Sequence, residues 1–239
     1  MNNNNNNNNN NLIIPLDFTC NLAEFVGIHF GDGSMIYGPN YKYRVAYACN
    51  LNEVDYVEYF QNLFYELFNI KLKKTLYFKK NCIELYYYSK KFCEYMINVL
   101  QVPSGRKTNL IIPQYIRSNR LLTIAFLRGL FDTDGCLTVQ RDGKYKYLLA
   151  KITTSLPDFA YSISKLLKSL NIHCFVTKKG KHNPGCDVVI RHLNVIEFLN
   201  LVKPVNSKYY RKMGMYGATG TFGVKLFDRL TFCLNCSNF

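Results

Sequence analysis

Two aspartates, Asp32 and Asp134, hold the same place in two copies of one segment. The stretch Phe25–Met35 returns 102 positions later as Leu127–Leu137, with Gly27 matching Gly129, Asp32 matching Asp134 and Gly33 matching Gly135. If each copy is a helix that ends at its aspartate, each carboxylate sits beside unsatisfied carbonyls at the negative end of a helix dipole. Two such groups meeting at an approximate two-fold axis repel, and a divalent cation reverses the sign of that energy. The donors would be oxygen alone: the two carboxylates and the carbonyls of Gly31 and Thr133. That set suits Mg²⁺, with Mn²⁺ as a substitute, because Mg²⁺ keeps several waters and takes its other ligands from substrate phosphate. A plainer reading is a helix-ending Asp-Gly turn, which accounts for one copy more readily than for two in register.

Positioning these acids falls to two helices, from Thr19 or Asn21 to Gly33 and from Ser118 to Gly135, each apolar on nearly all sides and so buried on nearly all sides. Gly33 reads as a left-handed helix exit. Residues four apart share a helix face, so Gly27 with Gly31 and Gly129 with Thr133 make small-residue strips on which two backbones can approach closely. Each helix is followed by a hairpin, Ser34–Tyr37 with Tyr41–Cys49 and Cys136–Arg141 with Lys144–Thr154. Amphipathic helices at Asp55–Phe68 and Asp158–Leu170 come next. Second strand pairs follow (Lys73–Lys79 with Cys82–Tyr88, Cys174–Lys178 with Asp187–Arg191), then closing helices near Lys91–Leu100 and Leu193–Val202. The order α-β-β-α-β-β-α, twice, predicts an α+β fold of two pseudo-symmetric halves, each with a four-stranded antiparallel sheet.

The chain has 239 residues and is 48% apolar, enough to bury a core. Asn2–Asn11 is a polar tract with nothing to bury and reads as a disordered tail over residues 1–11. The halves are placed at 12–112 and 113–239, joined near Ile111–Gln114 by a linker too short for free motion. Lys and Arg outnumber Asp and Glu by 30 to 16, a formal charge of +14 spread along the chain. This points to a polyanionic partner; the alternative is compositional, since the chain is also crowded with Asn, Ile, Tyr and Phe, which an AT-rich coding sequence favours. No stretch approaches a membrane span and no secretory signal precedes the first helix, so the chain is expected to be soluble and intracellular, in a prokaryotic cytoplasm or an organelle. The nine cysteines have no framework spacing and read as reduced thiols; Cys233 and Cys236 lack a second ligand pair for zinc.

The doubled helix resembles the signature helix of LAGLIDADG homing endonucleases in their single-chain, two-motif form, over nearly all of Leu12 to about Tyr216. The second motif, Leu127–Gly135, is close to the family pattern; the first departs from it with His29 in place of an aliphatic residue and Phe30 in place of an earlier acid. The resemblance implies a monomeric saddle with an internal pseudo-two-fold axis on double-stranded DNA. It makes Asp32 and Asp134 the catalytic metal-binding acids. It also places Lys107, in the segment Pro103–Pro113, and Lys208, in Pro204–Lys208, beside the active centre, where they position water or stabilise phosphate charge. A plain phosphate contact is the alternative for either lysine.

The hairpins carry matched cations, Lys42 with Lys144 and Arg44 with Lys146, on a β-ribbon that fits the major groove. Lys151 lies further along the same strand. Lys73, Lys79, Lys80, Lys178, Lys179 and Lys181 supply basic strand ends and loop tips for phosphate. The expected activity is metal-dependent cleavage of both strands at a long site, as in intron homing. An intron RNA maturase or a non-cleaving DNA-binding protein on the same fold stays open, and no self-splicing ends are recognisable.

Overall fold

A computed structural model describes residues 11–39, 42–142, 145–178, 185–191 and 193–217, with the backbone alone at 42, 141, 142, 145, 146 and 215–217. Most of the asparagine tract, Lys144, Lys179, Lys181, Cys233 and Cys236 lie outside the described residues.

The first half runs α1 (Cys20–Gly31), β1 (Gly33–Gly38), β2 (Lys42–Asn50), α2 (Val54–Phe68), β3 (Lys73–Tyr77), β4 (Cys82–Tyr88) and α3 (Lys90–Asn98). A short α4 (Gln114–Arg117) leads into α5 (Arg120–Asp134), β5 (Gly135–Asp142), β6 (Tyr145–Thr154), α6 (Pro157–Ser169), β7 (Cys174–Lys178), β8 (Cys186–Arg191) and α7 (Leu193–Val202). One further helix, α8 (Ser207–Gly217), has no counterpart in the first half, and neither α4 nor α8 was anticipated from the sequence. The sheets are antiparallel with strand orders β1-β2-β4-β3 and β5-β6-β8-β7. Each is therefore an edge-to-edge copy of the other, as expected for an α+β fold of two halves.

Thr19 caps α1 by accepting from the Leu22 amide at 3.2 Å. Asn119, rather than Ser118, caps α5 by accepting from the amides of Leu121 and Leu122. The left-handed exit expected at Gly33 does not occur. Asp32 ends α1 in right-handed geometry, and Gly135 has φ −79°. Glycine is required there by space instead: a Cβ on Gly33 would lie 2.6 Å from both Cα and Nδ1 of His29, and one on Gly135 would strike Phe131.

Behind the first sheet the rings of Phe25, Phe64, Phe68 and Phe92 meet edge to face. Phe159, Ile163, Leu167, Val188 and Phe198 are fully buried behind the second. Between the halves, α1 and α5 pack along their glycines. A Cβ on Gly27 would collide with the Phe126 carbonyl and lie 2.9 Å from the Leu130 amide nitrogen, and one on Gly129 would do the same to Glu24 and Ile28. The two-fold relation is visible in those matched contacts.

One ion pair breaks the symmetry of this interface. Glu24, 1% exposed, accepts from Tyr59 at 2.6 Å and from Arg128 at 3.0 Å, while Arg128 Nε donates to the Val202 carbonyl. Removing one member of such a pair strands a buried charge. Arg128→Met is therefore expected to lower unfolding free energy by about 3 to 5 kcal/mol. Urea denaturation checks this, and Glu24→Leu combined with Arg128→Met should recover most of the loss.

Candidate active site

The last turns of α1 and α5 lie side by side, because the glycine strips let them. Gly31 has no room for a Cβ, which would run into Thr133 and come within 3.5 Å of the Asp134 carboxyl carbon. Thr133 turns its hydroxyl back to the carbonyls of Gly129 and Leu130, keeping its own side chain compact. Asp32 and Asp134 are thereby brought to one place. Protein surrounds most of each carboxyl although the Asp32 side chain reaches solvent. Burial raises Asp32 to about 6 against the opposing pull of Lys208 and Lys107, with Glu53 adding to the rise. Burial and the neighbouring Asp32 charge raise Asp134 to about 7, again opposed by Lys107 and Lys208.

Each lysine holds the end of one helix. Lys107 Nζ donates to the carbonyls of His29, Phe30 and Gly31 at 3.0, 2.9 and 2.6 Å, and burial lowers its pKa while both aspartates oppose the drop. Gly31, a candidate metal ligand, thus has its carbonyl occupied by an ammonium. Lys208 Nζ donates to the Asp132 carbonyl at 3.0 Å and lies 3.7 Å from Glu53 Oε1. A cation on the final carbonyls of a helix relieves the same dipole that the aspartates aggravate.

Four supporting residues lie outside the matched pairs of the repeat. Asp132, where the first motif has Phe30, accepts from the amides of Val205 and Asn206 at 3.0 Å each, and burial raises it to about 7. It fixes the loop that carries Lys208. Asn206 donates to Glu53 at 2.6 Å, linking that loop to the first half. Tyr209 donates to the carbonyls of Phe131 and Gly135, closing the end of α5. The sequence marks Asp132 only as the earlier acid of the second motif, with no signal of the distant amides it accepts from, and Glu53 has no repeat partner that would draw notice.

His29 is 2% exposed and bonds Tyr47 Oη through Nδ1 at 3.2 Å. Burial, helped by Lys107, lowers it to about 3, so it is a neutral packing group.

The expected match between Arg44 and Lys146 fails. Gly33 pairs with Tyr47, whereas Gly135 pairs with Ile152, so the second hairpin is three residues longer and Arg44 corresponds to Leu149. An odd insertion moves every later residue to the other face. Position 146 accordingly shares its register parity with buried Leu148, Ala150 and Ile152. Arg44 stays on the face away from the helices, bonded to Glu84 at 2.8 Å and lying over Tyr86 and Tyr88. Lys151 lies on the corresponding face of the second sheet, 3.5 Å from Asp187. Lys73 and Lys178 are exposed at strand ends, Lys79 and Lys80 are exposed in the 3-10 turn between β3 and β4, and Lys42 is in β2.

Residues 122–203 match the LAGLIDADG-like domain family. The chain shares its fold with solved homing endonucleases. Structures of mesophilic variants of the homing endonuclease I-DmoI share it with 22% identity, covering 78% of this chain and 98% of that one at a TM-score of 0.55. I-DmoI in complex with DNA and Mn aligns at 24% identity over 77% and 96% of the two chains, TM-score 0.54. The meganuclease I-SmaMI, bound to uncleavable DNA, aligns at 13% identity over 90% and 97%, TM-score 0.54. No curated protein sequence matches the chain. Of the paired helices, α5 lies almost wholly within the matched residues and α1 precedes them, and their adjacent ends carry Asp32 and Asp134. No helix among the described residues is long and apolar enough to cross a membrane.

Proposed function

We propose that this LAGLIDADG protein is a site-specific endonuclease that cuts both strands of duplex DNA by Mg²⁺-dependent phosphodiester hydrolysis, as in intron homing, with Mn²⁺ able to substitute. The observation that carries the reading is the convergence of Asp32 and Asp134 at the ends of two paired helices, where each raises the cost of ionising the site. A fold selected for packing alone gains nothing from that arrangement. Among the described residues no group of three or more His, Cys, Asp or Glu could cage a metal. The two carboxylates with the Thr133 main-chain oxygen fit an ion that draws its remaining ligands from water and phosphate, and the Gly31 carbonyl joins them only where Lys107 releases it. When bound, the cation would neutralise phosphate charge and acidify an attacking water.

The chain's own groups do the rest. Asp32 and Asp134 hold the site's negative charge; Lys208 stands beside them, and Lys107, its three donors on α1 carbonyls, acts by its charge alone, to offset the charge that grows on phosphate oxygens as water adds to phosphorus and the sugar oxygen leaves. Each pseudo-equivalent end serves one strand, which gives a staggered break. Lys42, Arg44, Lys73, Lys79, Lys80, Lys144, Lys151, Lys178, Lys179 and Lys181 supply the cationic footing for one DNA molecule per monomer, without Lys146, whose strand position shares the parity of the buried face. We divide the chain at about residue 112, with the tract up to residue 11 outside both halves.

Because Asp32 and Asp134 titrate near 6 and 7, metal must displace protons below neutrality. Mg²⁺ affinity should therefore rise from pH 5.5 to 7.5 and level off above about 8. Calorimetry in buffers of different ionisation enthalpy should show about one proton released near pH 6.5 and few at pH 8.5.

A duplex library with randomised sites, incubated with Mg²⁺ or EDTA and sequenced at its ends, tests the function. Double-strand ends that require Mg²⁺ and vanish in Asp32→Asn/Asp134→Asn support it. Salt-sensitive binding without ends would make the protein a non-cleaving binder.

A further inference from the structure

The outward faces of the two sheets differ at matched positions. Registering Gly33–Tyr47 on Gly135–Ile152 makes Arg44, Tyr86 and Lys73 correspond to Leu149, Val189 and Phe175. The first face thus presents a guanidinium, a phenol and an ammonium where the second presents three apolar side chains. On the second face they line a recess of about 350 Å³ shared with the polar side chains of Thr138, Gln140 and Thr177; Leu149 and Val189 are nearly covered, at 5% and 3% exposure, and Phe175 is 39% exposed. The rim cations already have partners: Arg191 stacks on Phe175 at 4.7 Å, and Lys151 reaches Asp187.

We infer that this recess reads pyrimidine 5-methyl groups in the major groove, making recognition by the second half depend on thymine methyls. The inference rests on the proposed action on duplex DNA. In that groove the thymine methyl is the one apolar mark a base pair offers, and aliphatic side chains are what recognise it. The gain comes from the methyl leaving water against the exposed ring of Phe175, since Leu149 and Val189 are already covered. At the three corresponding positions the first face offers Arg44, Tyr86 and Lys73, donors that meet base edges through hydrogen bonds rather than through a methyl.

The test uses the full-length protein and the duplex recovered from the cleavage selection. A photo-crosslinking amino acid in place of Gly38, where a side chain meets nothing within 4 Å, identifies the arm under the first half. Thymines are then replaced by deoxyuracil, one arm at a time, and affinity is measured at constant salt. Loss of about fourfold for each contacted methyl is expected in the second half's arm only. The isosteric Val189→Thr should reduce that loss while leaving first-arm specificity, which reports an intact fold, unchanged; Leu149→Gln is an independent second variant. Equal losses in both arms, no loss, or a second arm selected without thymine would overturn the inference while leaving the nuclease intact. Failure to bind any duplex would overturn the endonuclease reading together with it.

Discussion

Asp134→Asn is expected to abolish cleavage by about 10³-fold, the several kcal/mol that charge stabilisation at such a centre supplies, while making the protein more stable without metal. Asparagine keeps the shape of the side chain and removes its charge. With its carboxyl raised to about 7, the folded state holds the Asp134 proton more tightly than the unfolded chain does. The favourable contribution of that protonated group is therefore present below the unfolded pKa near 4 and is lost as pH rises through 7. In EDTA at pH 8 the wild type carries an ionised, crowded carboxylate, so the variant should melt higher, and the gap should close at pH 4. Strand-resolved cleavage kinetics and paired thermal melts read the two effects. A purely structural aspartate would lose both activity and stability together.

Gly129→Ala is expected to destabilise the fold even though alanine is the better helix former. Helix propensity favours the substitution by about 1 kcal/mol. Against this, a Cβ would overlap the Glu24 carbonyl and lie 2.9 Å from the Ile28 nitrogen, both backbone atoms that move only if the helices part. Overpacking costs about 3 kcal/mol, so the net loss is about 2 kcal/mol and Gly129→Val should prevent folding. Gly27→Ala should behave alike, because its Cβ would meet Phe126 and Leu130 in the matching way. Gly214, in α8 with nothing within 4 Å, provides the contrast: Gly214→Ala should stabilise by about 1 kcal/mol. Urea titrations of the four variants separate interface clash from helix propensity by sign.

Much of this fold was legible because the chain says it twice. A repeat that matches Gly27 to Gly129 and Asp32 to Asp134 specifies helix pairing and the convergence of the acids without any long-range calculation. Alternation and turn residues delivered eight strands in two sheets. Pairwise register was less legible: matching Arg44 to Lys146 by sequence offset ignored the longer second hairpin, and three inserted residues exchange the faces of β6. The supports of the site were legible least. Glu53, Asp132 and Asn206 act through tertiary contacts between segments far apart in sequence, and no local pattern marks a carboxylate that will accept from the amides of residues 205 and 206. Gly33 was recognised as necessary for a different reason from the real one, since conformational freedom and lack of space both select glycine.

Pseudo-symmetry also leaves the two ends unlike. Lys107 spends its donors on three main-chain carbonyls of α1, whereas Lys208 shares itself between one carbonyl of α5 and Glu53. The same acid pair is thus flanked by differently held cations, within a scaffold whose helix interface is almost symmetric.

The central claim is that Asp32 and Asp134 together hold divalent metal against a DNA phosphate. Crystals of the protein with its selected duplex, grown with Mn²⁺ and measured at the manganese edge, test it most directly. The account predicts anomalous density between the two carboxylates and the scissile phosphates, absent in Asp32→Asn/Asp134→Asn crystals of the same complex. Density at other side chains only, or DNA seated across the helix ends with no manganese between the aspartates, would contradict it.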